Sequence, residues 1–202
     1  MHKKVKISIV YYSATGNVAA IAREMAETVE KAGAEVRLRK VAELAPQVVI
    51  DATPAWAANA DTTADIPVAT ADDLIWADGV IMGSPTRFGN ISAQLKQFLD
   101  SLGGIWQQGL LADKVYSGFT STGTLHGGQE STLLALSHTF HHFGGVVVAP
   151  GYTHPDKLID GNPYGTAHHD AGGTAPLDDT TRAAARVQAE RVVRFAHAIS
   201  AA

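Results

Sequence analysis

Three short segments of the sequence combine hydroxyl groups with glycine, a composition suited to binding a phosphate group or the edge of a polar ring. They read S-A-T-G-N at 13–17, S-P-T-R-F-G-N at 84–90 and S-T-G-T-L-H-G-G at 121–128. Each segment directly follows a short apolar run and precedes a helix-like pattern. They can form one site only if the surrounding elements bring them to the same edge of the fold.

The first segment lies at the predicted start of a helix, where unpaired backbone N–H groups and the helix dipole favour an anion. The dipole contributes only about 0.3–1 kcal/mol, whereas hydrogen bonds to a charged group contribute about 1.5–3 kcal/mol each. The segment contains no lysine or arginine and matches neither G-x-x-x-x-G-K-[ST] nor G-x-G-x-x-G. Its side chains therefore form either an ordinary helix cap or a phosphate site.

The other two segments offer groups that suit a planar heteroaromatic ring. The second supplies the Arg87 guanidinium, the Phe88 ring and free backbone polar groups, and the third can hydrogen-bond the opposite side of the same ring. The alternatives are an ordinary strand-to-helix turn for the second segment and a flexible connection for the third.

Alternating strand-like and helix-like patterns predict the elements that position these segments. The predicted strands are 5–12, 34–41, 79–83, 114–121 and 145–149. The predicted helices are 17–32, a short one ending at 72–77, 91–102, 129–142 and 178–199. We interpret 45–67, with three prolines, as a mostly surface excursion and 151–176 as a long loop.

This alternation predicts one α/β domain over residues 1–202, with a parallel sheet covered on both faces. Two strand orders are common for such sheets, and in both the ligand binds beyond the carboxyl ends of the strands. The segments after the first, third and fourth strands are then expected to line one site.

Composition excludes several functions. The 202 residues are 46% hydrophobic with a net charge of −4, and no basic block indicates a nucleic-acid partner. Without cysteine, thiolate nucleophiles, iron–sulfur clusters and Cys-based zinc sites are excluded. Residues 1–4 lead into a short run containing Lys6, which does not resemble a signal peptide, and no apolar run approaches the ~20 residues of a membrane span. We therefore predict a cytoplasmic protein.

Other candidate residues have weaker patterns. His138, His141 and His142 share helical spacing, but the Glu of H-E-x-x-H and a third ligand are missing, so no metal is predicted. No G-x-S-x-G motif supports a hydrolase. Trp106 follows a glycine pair unsuited to a helix interior and either stacks on a planar substrate or packs in the protein. His168 and His169 fall in the predicted loop and are expected to be solvated.

Taken together, these segments resemble the WrbA family of NAD(P)H:quinone oxidoreductases. The matching motifs are Y-Y-S-x-x-G at 11–16, G-S-P-T-R-F-G-N at 83–90, F-L-D-x-x-G-G-x-W at 98–106, S-T-G-T at 121–124, G-G-Q-E at 127–130, H-H at 141–142 and N-P-Y-G at 162–165. The resemblance implies a flavodoxin-like, doubly wound sheet of five parallel strands in the order 2-1-3-4-5, with helices on both faces.

The resemblance further implies a non-covalently bound FMN, and it assigns cofactor contacts to all three segments. The phosphate would lie against Ser13, Ala14, Thr15, Gly16, Asn17 and Val18. The isoalloxazine would contact Thr86, Arg87 and Phe88, flanked by Pro85 and Gly89. The ribityl and pyrimidine side would meet Ser121, Thr122, Gly123, Thr124, Leu125 and His126. On this basis residues 13–17 are predicted to be both helix cap and phosphate site.

Substrate contacts follow from the same resemblance. His142 matches a histidine near the flavin, and Trp106 matches the aromatic residue of the substrate pocket. Thr15 stands where the family often has a tyrosine linked to nicotinamide contact, so it is also a substrate-binding candidate. Arg87 and His142 are the catalytic candidates: Arg87 would stabilise negative charge on the reduced ring, and His142 would act as a polar partner or proton relay.

The implied reaction is ping-pong. NADH or NADPH would reduce the flavin by hydride transfer and leave, and a quinone would then take two electrons at the same face. The resemblance also implies a homotetramer whose sites are bordered by neighbouring subunits. Two alternatives remain open: a flavodoxin-type electron carrier, typically more acidic than −4, and a regulatory interaction protein, for which no docking motif occurs.

Overall fold

The computed structural model describes residues 4–200, so the first three residues of the N-terminal segment considered above lie outside the described residues. In this range a parallel sheet forms the centre of the fold. Its strands are β1 (Lys6–Tyr11), β2 (Glu35–Lys40), β3 (Gly79–Pro85), β4 (Val115–Thr122), β5 (Val146–Val147) and β6 (Thr166–His169). The predicted order 2-1-3-4-5 is confirmed, and β6 is an additional strand that pairs with β4.

Helices connect the strands and cover both faces of the sheet. They are α1 (Asn17–Lys31), α2 (Gln47–Asp51), α3 (Pro54–Thr62), α4 (Ala71–Trp76), α5 (Ala93–Asp100), α6 (Gly103–Gln107), α7 (Gln129–His142), α8 (Pro155–Asp160) and α9 (Asp179–Ser200). The bounds predicted for α7 are those observed, and α1, α5 and α9 lie within one or two residues of their predictions at each end. In the described part of the chain, no helix is long and apolar enough to cross a membrane.

Alternate side chains of the central strands enter two hydrophobic clusters. On β1, Ile7 and Ile9 are fully buried in the cluster formed with α1 and α9. Val10 faces the other cluster, which α4, α5 and α7 cover. A strand buried on both faces reads as a continuous apolar run, which explains why the central strands are identifiable from sequence. Each fully buried aliphatic side chain contributes about 1.5–3 kcal/mol.

The 45–67 excursion contains two short helices, α2 and α3, that the sequence did not predict as helices. Pro46 is the N-cap of α2 and Pro54 is the first residue of α3, positions at which proline favours a helix start rather than a loop. The glycine pair before Trp106 likewise forms the first turn of α6. In these places the prediction mistook helix starts for breaks.

The prediction for 151–176 was wrong in a similar way, because this segment contains α8 and β6. Strand β5 is shorter than predicted and pairs only with Val115 and Tyr116 of β4. Strand β6 then pairs with β4 from Phe119 to Thr122, so the carboxyl half of β4 also has a partner. Gly165 permits this pairing, since a Cβ there would lie 2.3 Å from the Gly118 carbonyl oxygen.

A fully buried amide attaches β6 to the sheet and to α9. Gln188 Oε1 accepts hydrogen bonds from the backbone N–H and the hydroxyl of Thr166, both at 2.7 Å. Gln188 Nε2 donates to Ser117 Oγ and to the Gly118 carbonyl, also at 2.7 Å. Since every polar atom of this amide is paired, it fixes the start of β6 without leaving an unsatisfied buried group.

His168 on β6 is buried, contrary to the expectation that it is solvated. Its Nε2 lies 3.2 Å from the Ala175 carbonyl, and its Nδ1 lies 3.3 Å from the Asp178 carboxylate. His169 is exposed, as the alternation of side chains along a strand requires.

A buried carboxylate joins the edge strand β2 to α4. Asp73 Oδ1 accepts hydrogen bonds from Arg37 at 3.1 Å and from Arg39 at 3.0 Å, and its Oδ2 accepts from the Thr70 backbone N–H at 3.0 Å. Burial alone would raise the pKa of Asp73, but the Thr70 N–H and the two arginines outweigh it. The pKa of this carboxyl therefore lies below its ordinary value of 3.8.

We expect Asp73→Asn to lower the free energy of unfolding at neutral pH by about 2–3 kcal/mol, because it leaves two arginines without their carboxylate. A lowered folded-state pKa means that this stabilisation is present above 3.8 and is lost as pH falls through the folded value. The difference from wild type should therefore shrink below about pH 4. Urea denaturation of wild type and Asp73→Asn, at neutral pH and below about pH 4, measures this difference in the free energy of unfolding.

Asp72→Asn is the matched control, since Asp72 is exposed in the first turn of the same helix. Its effect should be limited to the helix dipole, about 0.3–1 kcal/mol. Equal destabilisation by the two substitutions would contradict the role given to Asp73.

Candidate functional site

A pocket of about 70 Å³ opens at the carboxyl edge of the sheet, where the segments after β1, β3 and β4 meet. Its lining residues come from all three segments, from the first turn of α1 and from the residue that follows β6. They are Ser13, Ala14, Thr15, Asn17, Val18, Pro85, Thr86, Arg87, Ser121, Thr122, Gly123 and Asp170. The structure therefore brings together the hydroxyl-rich segments that lie far apart in the sequence.

The first turn of α1 has no side-chain cap among the described residues. Its N-cap is Gly16, in the left-handed conformation with a φ of +103°. The Ser13 hydroxyl accepts a hydrogen bond from the Gly16 N–H at 3.2 Å, outside the helix. The predicted role of residues 13–17 as a side-chain cap is therefore wrong.

The backbone N–H groups at this helix start remain available to a ligand. The first helical hydrogen bond runs from Ala20 N–H to the Gly16 carbonyl at 2.9 Å. The N–H groups of the three residues between them have no acceptor within the helix. Two of these residues, Asn17 and Val18, line the pocket. Such N–H groups, together with the positive end of the helix dipole, favour an anion.

The second segment forms a tight turn beside this helix start. Arg87 N–H donates to the Asn90 carbonyl at 2.7 Å, and Asn90 N–H donates back at 3.0 Å. The turn places Phe88 at a positive φ of +54°, with its side chain fully exposed. Pro85, Thr86 and Arg87 line the pocket, whereas the predicted cofactor contacts Phe88 and Gly89 do not.

The third segment contributes only its first residues to the pocket. Ser121, Thr122 and Gly123 line it, and the Thr122 hydroxyl donates to the Thr124 carbonyl at 2.9 Å. The predicted contacts Thr124, Leu125 and His126 do not line it. Leu125 is exposed instead. The segment therefore divides into a pocket-lining start and an exposed end.

Trp106 and His142 lie next to each other but do not line this pocket. The indole Nε1 of Trp106 donates to the backbone carbonyl of His142 at 2.7 Å. The indole is half exposed, and His142 is exposed at the end of α7. Over residues 4–200, no three or more His, Cys, Asp or Glu side chains are grouped so as to hold a metal ion.

Sequence reasoning missed two residues that contact the first segment. Asn59 on α3 is buried and donates from Nδ2 to the Ser13 carbonyl at 2.9 Å. Asp170, just after β6, accepts a hydrogen bond from Asn17 Nδ2 at 2.7 Å. Both belong to segments that the sequence did not resolve into elements, so no local pattern could have identified them.

A larger cavity, of about 210 Å³, lies between the end of β1 and helices α2 and α3. Within it, Glu43 accepts hydrogen bonds from Tyr12, Trp56 and Gln94. Burial by itself would raise the pKa of Glu43, but hydrogen bonds from two backbone N–H groups, Gln94 and Tyr12 lower it below its ordinary value. Burial and the hydrogen bond to Glu43 raise the pKa of Tyr12. These groups satisfy one another, so we place the candidate site in the smaller pocket, where unpaired donors face a ligand.

Comparison with known proteins identifies the family of this chain. The sequence matches the family described as NADPH-dependent FMN reductase over residues 5–157. A relative from Deinococcus radiodurans, named NAD(P)H dehydrogenase (quinone), is 48% identical over 198 residues, which cover 96% of this chain and 97% of the relative. A relative of the same name from Aromatoleum aromaticum is 41% identical, with 96% and 97% covered.

A solved structure provides a further comparison. The structure described as the flavodoxin, WrbA-like protein from Agrobacterium tumefaciens superimposes with a TM-score of 0.63 and 25% sequence identity, over 96% of this chain and 98% of that one. The resemblance inferred from the motifs is thereby confirmed. The chain belongs to the NADPH-dependent FMN reductase family, as a WrbA-like member with a flavodoxin-like fold.

Proposed function

We propose that this protein is an FMN-dependent NAD(P)H:quinone oxidoreductase. The observation that carries the proposal is the uncapped start of α1 at the hydroxyl-lined pocket, because it offers a phosphate ester several hydrogen-bond donors at once. The substrates are taken from the relatives, which are named NAD(P)H dehydrogenase (quinone). The family match and the flavodoxin-like fold support a flavin at this edge of the sheet.

The residues present fit a flavin with a phosphate ester. The pocket offers hydroxyl groups from all three segments, and Ser13, Thr86 and Ser121 are one from each. Backbone N–H groups and hydroxyls can bind a phosphate without lysine, as helix starts do in other proteins. Glycine suits position 16, since any other residue would be strained at its positive φ of +103°.

An FMN held by the α1 start and the three segments would supply the two-electron redox chemistry that links a nicotinamide to a quinone. The protein's part is to bind, orient and polarise the flavin. Arg87 is the one cationic side chain among the described residues that line the pocket, so it is placed to stabilise negative charge near the ring. We assign Arg87 this role and assign His142 the role of proton relay for the quinone.

The exposed aromatic side chains support the homotetramer that the resemblance implies. Phe88, in the second segment, and Trp106, beside His142, both expose large apolar surfaces. Exposed apolar surface of this kind is typical of an interaction face or substrate groove. We propose that neighbouring subunits border each site and bring Phe88, Trp106 and His142 to the second substrate.

We expect the purified protein to retain FMN, to lose its yellow colour on anaerobic addition of NADH or NADPH, and to regain it on addition of benzoquinone. The visible spectrum records all three steps in one sample. Free FMN at the same concentration is the control for reduction without protein. Retained flavin that neither nicotinamide reduces would favour an electron carrier, and a protein that retains no flavin would contradict the proposal.

A matched pair of glycine variants tests the assignment of the α1 start. We expect Gly16→Ala and Gly33→Ala to strain the backbone alike, by about 1–2 kcal/mol, because both residues have a positive φ. Gly33 follows the opposite end of α1 and has open space around it. Only Gly16→Ala should weaken FMN binding, by about tenfold or more, since it shifts the donor N–H groups.

Fluorescence titration of FMN and urea denaturation measure the two effects separately. Equal FMN affinities for the two variants would show that the phosphate does not bind at the start of α1.

A further inference from the structure

The candidate phosphate pocket contains a buried carboxylate as well as hydroxyl groups. Asp170 lines the pocket and is only 8% exposed. Its Oδ2 accepts a hydrogen bond from Asn17 Nδ2 at 2.7 Å, and its Oδ1 accepts from the Gly173 N–H at 2.9 Å. Because Asn17 is the first residue of α1, the carboxylate is attached to the helix start assigned to the phosphate.

Strand β6 holds this carboxylate in place. The Asp170 N–H donates to the Thr122 carbonyl at 2.9 Å, and the Gly172 N–H donates to the Gly123 carbonyl at 2.8 Å. The chain just after β6 is thus hydrogen-bonded to the third segment. These bonds fix the main chain at Asp170, while the bonds from Asn17 and Gly173 hold its carboxylate in the pocket.

Asp170 forms no salt bridge within residues 4–200, where the salt bridges join other pairs. Arg87 lines the same pocket, but its guanidinium donates to the Thr86 carbonyl at 3.0 Å. From β6 itself, His168 is engaged with Ala175 and Asp178. His169 is exposed.

The other ionisable groups on the elements that pack against Asp170 are either bonded to other residues or exposed. On α1, Arg23 donates to the Thr62 carbonyl at 2.8 Å, and Glu24 pairs with two arginines of α9. In the third segment, His126 is exposed. A ligand in the pocket therefore meets a carboxylate that has no salt bridge among the described residues, with Arg87 as the one cationic side chain of the described lining.

A carboxylate in so small a pocket disfavours a second full negative charge beside it, because Coulomb repulsion grows as distance and dielectric fall. A phosphate monoester carries about −1.5 to −2 charges at pH 7 and has a second pKa of about 6. Its monoanion is repelled less than its dianion. The monoanion also retains a P–OH group, which can donate a short, charge-assisted hydrogen bond to a carboxylate.

We propose that Asp170 is a specificity-determining residue of this pocket, whose carboxylate selects the monoanionic over the dianionic form of the flavin phosphate. The inference rests on the proposed function, since it assumes that the pocket binds FMN. When the dianion is taken from solution, one proton is bound with it and lies on a phosphate oxygen. FMN is therefore held more tightly at acidic than at neutral pH.

Titration of the apoprotein with FMN and with riboflavin, followed by quenching of flavin fluorescence in a buffer containing EDTA, tests this proposal. Between about pH 5.5 and about pH 7.5 the Kd for FMN should rise about tenfold, because the monoanion is replaced by the dianion. The Kd for riboflavin, which has no phosphate, should stay constant. This comparison needs no variant protein.

Asp170→Asn should abolish the pH dependence and bind FMN about tenfold more tightly than wild type at about pH 7.5, since it removes the charge but keeps an acceptor for Asn17. Riboflavin binding reports whether this variant is folded, and Asp170→Ser replaces it if it is not. Asp61→Asn is the matched control: Asp61 is an exposed carboxylate of α3 that does not line the pocket. It should leave both flavins' affinities unchanged.

Four results would overturn the proposal. A constant Kd for FMN in wild type would show that the pocket accepts the dianion. A pH dependence that persists in Asp170→Asn would show that a group other than Asp170 causes it. Weaker FMN binding by Asp170→Asn, or an FMN affinity that rises on addition of MgCl₂ instead of with acidity, would make Asp170 a structural or cation-bridging residue. Failure to bind either flavin at any pH would instead contradict the proposed function.

Discussion

The left-handed turn at Gly16 is the constraint on which the rest of the candidate site depends. It carries the chain from the buried end of β1 into α1 without a side-chain cap in the described structure, and so it leaves backbone donors unpaired. Because neighbouring parallel strands end at the same edge, the segments after β3 and β4 converge on this turn. Their hydroxyl groups complete a polar pocket that the turn alone could not form.

Polar bonds from distant elements keep the pocket in shape. Asn59 on α3 holds the Ser13 carbonyl, and Gln188 on α9 holds the start of β6, after which Asp170 follows. An unpaired buried polar group costs about 1–3 kcal/mol, so losing any of these bonds would be expensive. The donors are therefore oriented before a ligand arrives, which reduces the entropy lost on binding.

What the sequence predicted, and what it did not, follows from the range of the interactions involved. The central strands are identifiable because burial on both faces makes each a short run of mostly apolar letters. Helix α7 is identifiable because Gly128 stands directly before its first residue. Strand β6 reads T-A-H-H, without an apolar pattern, and its pairing depends on close approach at Gly165 and on Gln188. The short helices α2, α3 and α8 escape prediction because each has a proline at or directly before its first residue, and proline is also typical of loops.

The same distinction applies to the site. Pocket-lining residues of the three segments were predicted because the chemistry of each segment is visible in a few consecutive letters. Asn59 and Asp170 act only through tertiary contacts, so their roles could not be read before the fold was known. Phe88 is the opposite case, because its motif is specific and yet it does not predict where the ring lies. The turn holds the ring fully exposed, away from the pocket of its own chain.

The geometry of Phe88 also separates the rigid from the exposed part of the site. Two backbone hydrogen bonds between Arg87 and Asn90 close the turn, so the ring is held out by a defined backbone and not by a loose loop. Exposure of the apolar Phe88 ring to water is unfavourable. A positive φ of +54° on a residue other than glycine is a second unfavourable contribution. Such strain persists where the surrounding structure enforces it, most often at functional sites. The arrangement suits a reaction in which one partner stays bound at the edge of the sheet and a second arrives at the exposed Phe88 ring.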